Sequence, residues 1–155
     1  MTVYSNTTPL LAFSAIGRFS LLHQVHGEVR IVPSVVEECM AGGIVEVPDL
    51  RNVEWIQIQP TPCEDSRFFM LDAGERDTIS TALRDRADLV VIDERLGRNL
   101  AEFHGLRVVG TLGTLKKAKQ MGLVPGFLPL VRQLQQAGFW YDEALVQRLA
   151  ADVGE

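Results

Sequence analysis

The chain has 155 residues, of which 46% are hydrophobic and 23% charged, and its formal net charge at pH 7 is −5. This length and apolar content fit one globular domain, residues 1–155, with a substantial core. The acidic balance excludes a surface that coats nucleic acid everywhere. Cys39 and Cys63 form neither a CxxC pair nor a cysteine–histidine pattern, which excludes a zinc site or a disulfide framework and favours reduced thiols.

The N-terminus has no basic stretch, and the apolar run from Pro9 to Ile16 is too short for a membrane span. We therefore expect a soluble, cytoplasmic protein with no membrane partner. Positive charge is concentrated in the middle third of the chain. These side chains form either a local phosphate-facing patch or ordinary solvated helix faces. They are Arg84, Arg86, Arg95, Arg98, Arg107, Lys116, Lys117 and Lys119.

Short apolar runs that predict strands alternate along the chain with helical spacing, and this alternation predicts an α/β protein with a mainly parallel sheet. The runs are Val3–Tyr4, Val29–Val32, Trp55–Ile58, Leu89–Ile92 and Val108–Val109. The helix after Pro33 should end at Gly42–Gly43, whereas Glu46–Val53 fits a loop or broken helix and Pro60–Arg67 a surface loop. Beyond Pro129, the spacing predicts a helical hairpin turned at Gly138.

Three polar residues fall at the carboxyl edge of the predicted sheet. Asn6 follows the first strand, Asp93 follows the Leu89–Ile92 strand, and Glu75 lies in the first turn of a helix. Ligands of open parallel sheets bind at this edge. Glu75 continues the inward stripe of Ile79 and Leu83, so its carboxylate either compensates the helix dipole or serves a buried site.

Two adjacent acids, Glu37 and Glu38, cannot be separated by spacing, because both lie about 130° from the centre of their helix's apolar stripe. Clustered carboxylates repel one another and raise each other's pKa unless a cation joins them. Magnesium or manganese would suit such oxygen ligands, and an associated water could attack a phosphodiester.

Five sequence motifs occur in an order that resembles the PIN-domain-like family labelled DUF3368, over nearly the whole chain. They are Asn6–Leu10, Pro33–Glu38, Leu71–Glu75, Val91–Arg95 and Gly110–Gly113 with Ala118–Lys119. The resemblance implies a three-layer α/β/α fold, a VapC-type toxin ribonuclease and Mg²⁺ or Mn²⁺. It also implies an RNA substrate, a small antitoxin partner and a homodimer.

Carried over by motif, the resemblance assigns catalysis and metal binding to Asn6, Glu38, Glu75 and Asp93, and so selects Glu38 over Glu37. The departure is Asn6, an uncharged amide where the family pattern places an aspartate. Losing that charge should weaken divalent binding. Possible substrate contacts are Thr7, Arg95, Arg98 and Thr111, although helix capping is the simpler role for both threonines.

Two other functions stay open. The first is a catalytically weakened or inactive PIN fold that binds RNA or protein, as the amide at Asn6 suggests. The second is a phosphoacceptor domain using Asp93, Thr111 and Lys116, but such a domain needs paired acids after the first strand, where Asn6 and Thr7 supply none. The Gly110–Gly113 turn lacks the lysine of a P-loop and gives nucleotide binding little support.

Overall fold

The central layer of the protein is a five-stranded, wholly parallel sheet with strand order β3-β2-β1-β4-β5. The computed structural model describes residues 1–62 and 65–155. The strands are β1 (Val3–Ser5), β2 (Val29–Ile31), β3 (Ile56–Ile58), β4 (Leu89–Val91) and β5 (Val108–Val109). Their placement confirms the predicted sheet, with the apolar run at residues 89–92 in an interior strand.

Within residues 1–62 and 65–155, eight α-helices lie between and after the strands, which confirms the predicted three-layer α/β/α fold. They are α1 (Thr7–Ala15), α2 (Leu21–His26), α3 (Pro33–Met40), α4 (Ala73–Arg84), α5 (Arg95–Phe103), α6 (Thr111–Gln120), α7 (Leu128–Gln136) and α8 (Glu143–Asp152). Helices α7 and α8 pack on each other as the C-terminal hairpin, with Gly138 at a φ of 102° in the turn. Among the helices of the described residues, none combines the length and apolar character that a bilayer span requires.

Helix boundaries follow local capping chemistry. Pro33 occupies the first turn of α3, where its missing N–H costs nothing. Asp72 and Glu94 cap α4 and α5 by accepting hydrogen bonds from the backbone N–H groups of Glu75 and Gly97, at 2.9 and 3.0 Å. These caps fix where each helix begins, and therefore where the polar side chains beside the sheet edge lie.

One expectation about local structure needs correction, because helix α3 ends at Met40, before the glycine pair. The stretch from Glu46 contains a 3-10 helix at Leu50–Asn52, which fits the expected loop or broken helix. In α5, Leu96 and Phe103 are both exposed. Gly97 and Ala101 are buried there instead, because small residues allow the close approach of neighbouring side chains.

Of the two cysteines, Cys39 lies within the part of the chain that the structure describes. Cys39 is a free thiol on α3, and burial followed by the charge of Glu38 raises its pKa to about 12. It is therefore an inert, protonated thiol at neutral pH. Cys63, in the Pro60–Arg67 stretch, lies outside the described residues, which resume before a second 3-10 helix at Ser66–Phe68.

Candidate functional site

The carboxyl ends of β1 and β4 meet where the strand order reverses, which is the position at which open parallel sheets bind ligands. Ser5 pairs with Val91 in the register, and the Asn6 N–H donates to the Val91 carbonyl at 3.0 Å. Asp93 follows two residues after Val91. The backbone therefore places Asn6 and Asp93 after neighbouring strands, as the sequence predicts.

Asn6 is 3% exposed and precedes the first residue of α1. Its side chain makes no capping hydrogen bond, and its buried Oδ1 has no hydrogen-bond partner among the residues that the structure describes. Thr7 does not cap the helix either, because its hydroxyl donates to Oε2 of Glu38. The capping role predicted for Thr7 is therefore wrong: the threonine links α1 to a carboxylate on α3.

Glu38 and Glu37 have different surroundings in the structure. Glu37 is exposed, whereas Glu38 accepts from Thr7 through one oxygen and from the Gly74 N–H through the other, at 2.9 Å. A Cβ atom at Gly74 would lie 2.7 Å from Glu38 Oε1, so this close approach requires glycine. Glu38 thus joins α1 and α4 directly beside Asn6 and Glu75.

Glu75 is 6% exposed, and within residues 1–62 and 65–155 its Oε2 has no hydrogen-bond partner. Burial, followed by the charges of Asp72 and Glu94, raises the pKa of Glu75 from 4.5 to about 8. A Cβ atom at Gly97 would lie 3.4 Å from the carboxyl carbon of Glu75, so α5 also closes over this side chain. The buried carboxyl predicted by the helical stripe is confirmed, in surroundings that favour its neutral form or a bound cation.

Asp93 is held by the start of α6. The Thr111 N–H and hydroxyl each donate to a different oxygen of Asp93, both at 2.6 Å. Burial raises the pKa of Asp93, while these two bonds and the nearby Arg98 guanidinium act in the opposite direction. Gly110 caps α6, so the predicted capping role of Thr111 is wrong as well. Thr111 is fully buried and orients the carboxylate.

The structure does not assemble three carboxylates into a ready-made cluster: within residues 1–62 and 65–155, no group of three or more histidine, cysteine, aspartate or glutamate side chains could hold a metal ion. The donor types nevertheless fit a hard divalent cation. Asn6 Oδ1 and Glu75 Oε2 are buried acceptors without partners, and oxygen is the ligand that Mg²⁺ and Mn²⁺ prefer. Unpaired buried acceptors are costly unless a cation or donor satisfies them.

The basic residues of the middle third do not form one patch. Arg95 and Arg98 line a cleft of about 760 Å³ that also contains Asp93. Others are neutralised by nearby carboxylates: Arg84 pairs with Asp85, Lys116 with Asp152 and Lys119 with Glu155. The 2.8 Å contact of Lys116 with Asp152 also removes the amine on which a phosphoacceptor site would depend.

Sequence reasoning missed two residues that shape this region. Asp72 both caps α4 and raises the pKa of Glu75, and its spacing of three residues before Glu75 was a readable capping signal. Tyr141 lies near Asp93 and Thr111, and its buried hydroxyl has no hydrogen-bond partner. Nothing in the local sequence predicts that the turn before α8 reaches the end of β4.

Comparison with known proteins identifies the family but no individual relative. A family model described as DUF3368: PIN domain matches residues 2–155. Neither the comparison with curated proteins nor that with solved structures gave a significant match. The matched span includes the strand ends and all four candidate ligands. The chain therefore belongs to the PIN domain family labelled DUF3368.

Proposed function

We propose that the protein is a metal-dependent endoribonuclease of the PIN toxin type, which hydrolyses RNA phosphodiesters with Mg²⁺ or Mn²⁺. PIN domains are nuclease-type proteins that generally use divalent ions and bind RNA. The observation that carries the proposal is the pair of buried, unpartnered oxygens, Asn6 Oδ1 and Glu75 Oε2, beside the switch point of the sheet. Both are oxygen atoms of the kind that ligate such cations.

Two of the four candidate ligands, Glu38 and Asp93, are held in place by supporting contacts. Asn6, Glu38, Glu75 and Asp93 would hold the ion; when bound, it supplies charge stabilisation for the phosphodiester transition state and activates the attacking water. Thr7 and Gly74 hold the two oxygens of Glu38, and Thr111 holds both oxygens of Asp93. Such fixed carboxylates need little reorganisation when substrate arrives.

The test is cleavage of a labelled single-stranded RNA with Mn²⁺ or Mg²⁺. Asp93→Asn and Glu38→Gln should each lower the rate at least about 100-fold, because each removes a ligand charge. Glu37→Gln is the matched control: it removes the same charge from the adjacent, exposed position of α3. Cleavage that persists in EDTA, or equal effects of Glu37→Gln and Glu38→Gln, would contradict the proposal.

The amide at Asn6 favours a second candidate function, a catalytically inactive PIN fold that binds RNA or protein. It leaves the site with one ligand charge fewer than an aspartate would supply. Isothermal titration calorimetry with Mn²⁺ separates the two functions. Absent binding in the wild type, restored by Asn6→Asp, would support the inactive module, whereas tight wild-type binding would exclude it.

A toxin-type nuclease also implies a cytoplasmic protein that forms a homodimer and binds a small antitoxin. Exposed apolar side chains at Ile44, Phe69 and Met70 are consistent with a surface that another protein chain covers. Sedimentation velocity over a concentration series tests the dimer. A single monomeric species across the micromolar range would contradict it.

A further inference from the structure

A cleft of about 760 Å³ lies beside Asp93 and extends to the C-terminal hairpin. Its lining residues come from α5, β5, the start of α6, the turn before α8 and α8 itself. Asp93 is one of them, so the cleft is continuous with the candidate active site. Most of the others are arginines, aromatic residues and aliphatic residues, a composition unlike that around Glu38 and Glu75.

Three guanidinium groups face this cleft: Arg95 and Arg98 from α5 and Arg148 from α8. Among the described residues, none of the three lies within 4.0 Å of a carboxylate oxygen. By contrast, Arg132 on the neighbouring helix is neutralised by Glu143 at 2.6 Å. Helices α5 and α8 thus direct three positive charges into a cleft whose acidic lining residues are Asp93 and Asp142, and this excess of positive charge favours an anionic ligand.

Two aromatic side chains complete the cleft. Trp140 is 84% exposed and also borders a smaller cavity of about 480 Å³, so its ring is accessible from two sides. Tyr141 follows it, with a buried hydroxyl that has no partner. Exposed aromatic rings beside arginines are typical of surfaces that stack the bases of single-stranded nucleic acids while the arginines contact phosphates.

We infer that this cleft carries a single strand of RNA past Asp93, with Arg95, Arg98 and Arg148 on the phosphates and Trp140 stacked on an unpaired base. The inference rests on the proposed function and identifies where its substrate binds. Arg148 and Trp140 are substrate-binding residues outside the four candidate metal ligands. A base held on Trp140 must be unpaired, so the cleft selects single-stranded over double-stranded RNA.

Binding is best measured without metal, so that cleavage does not interfere. Fluorescence anisotropy in EDTA should show Trp140→Ala weakening binding of a labelled single-stranded RNA about tenfold, and Arg148→Ala by a similar factor. Arg148→Ala should also reduce the slope of log affinity against log salt by about 0.7. The controls are Phe103→Ala, an aromatic side chain 83% exposed at the end of α5, and Arg107→Ala, an exposed arginine before β5.

Tryptophan fluorescence gives an independent readout. Trp55 is the second tryptophan of the chain and packs on Phe19 and His23, away from the cleft. In a Trp55→Phe background, single-stranded RNA should quench the emission of Trp140 with the same dissociation constant as the anisotropy titration. A duplex of the same sequence should quench it far less.

The possible results separate this inference from the nuclease proposal. Unchanged RNA binding in both cleft variants, with metal-dependent cleavage intact, would overturn the RNA path but leave the nuclease. Weakened binding in both variants without cleavage by any metal would support the path and reject the nuclease. If Trp140→Ala instead abolishes self-association and leaves RNA binding intact, a second copy covers the cleft and the inference is wrong.

Discussion

The two sides of β4 carry opposite chemistry. On the β1 side, Asn6, Glu38 and Glu75 present acceptor oxygens, two of them on buried atoms without partners. On the β5 side, Arg98 and Arg148 present donors without carboxylate partners. We call the first set, with Thr7 and Gly74, the acidic half. The basic half consists of the cleft residues Arg95, Arg98, Arg148, Trp140 and Tyr141.

This difference indicates what each half lacks. The acidic half contains a carboxyl with a raised pKa, so it gains from a cation, whereas the basic half gains from an anion. Asp93 lies after the strand between them, and the charge of Arg98, in the basic half, lowers the pKa of its carboxyl against the effect of burial. A phosphodiester bound together with a divalent ion would satisfy both halves at once, which neither a metal nor an RNA strand could do alone.

The largest expected effect comes from removing one charge from the acidic half while leaving the basic half unchanged. Glu75→Gln keeps the shape of the side chain but removes the carboxylate, and it should lower metal-dependent cleavage at least about 100-fold. RNA binding in EDTA should be unchanged, because the basic half is untouched. Steady-state cleavage and anisotropy on the same preparation measure the two effects. Equal losses in both assays would show that the halves are not separable.

The second largest expected effect is the change in Mn²⁺ affinity with pH. Below about pH 8, Glu75 carries a proton in the metal-free protein, and an ion must displace it. Affinity should therefore rise about 50-fold from pH 6 to pH 8 and level off above that. Calorimetry from pH 6 to pH 9 measures this rise, and Glu75→Gln should lack it.

The raised pKa of Glu75 also determines whether the free energy of unfolding rises or falls with pH. Because the folded-state pKa lies above the ordinary value of 4.5, the folded state binds the proton more tightly. In EDTA, the free energy of unfolding should be highest below pH 4.5 as far as this group is concerned, and its contribution should fall as pH rises to about 8. Glu75→Gln should therefore be more stable than the wild type at pH 8, and a lower Tm would contradict this.

Removing the hydrogen bond from the Thr111 hydroxyl to Asp93 should have an intermediate effect on the cleavage rate. Thr111→Val removes the hydroxyl that donates at 2.6 Å while keeping the buried volume, and it should lower cleavage about 10- to 100-fold. Thr111→Ser keeps the hydroxyl and should recover most of the activity. Cleavage rates together with thermal melts distinguish loss of orientation from loss of folding. Equal activity of the two variants would rule out an orienting role.

The smallest expected effects come from two glycines, one beside each half. A Cβ atom at Gly74 would lie 2.7 Å from Glu38 Oε1, and one at Gly110 would lie 2.7 Å from Arg98 Nη1 and 2.8 Å from Asp93 Oδ1. Gly74→Ala should weaken Mn²⁺ binding about fivefold, because it displaces Glu38, and Gly110→Ala should weaken RNA binding by a similar factor, because it displaces Arg98 and crowds Asp93. Gly43→Ala, with open space around it, is the control.

The sequence predicted most of the fold because the patterns on which it depends are local. The apolar run at residues 89–92 and the Pro33 start of α3 were sufficient to place a strand and a helix. Which residues of a helix are buried depends on the elements that pack against it, as α5 shows. Leu96 and Phe103 have the spacing of a buried face, yet Gly97 and Ala101 are buried instead because Glu75 and Ile92 approach α5 closely.

For the candidate site, the sequence alone determined the residue types: an amide at Asn6, an inward Glu75 and an aspartate after an interior strand. Only the tertiary structure decided their partners. It sends the hydroxyls of Thr7 and Thr111 to Glu38 and Asp93 instead of to helix ends, and it brings Arg148 into the same cleft as Asp93. Periodicity reports the direction in which a side chain points, whereas its hydrogen-bond partner depends on which distant element packs against that face.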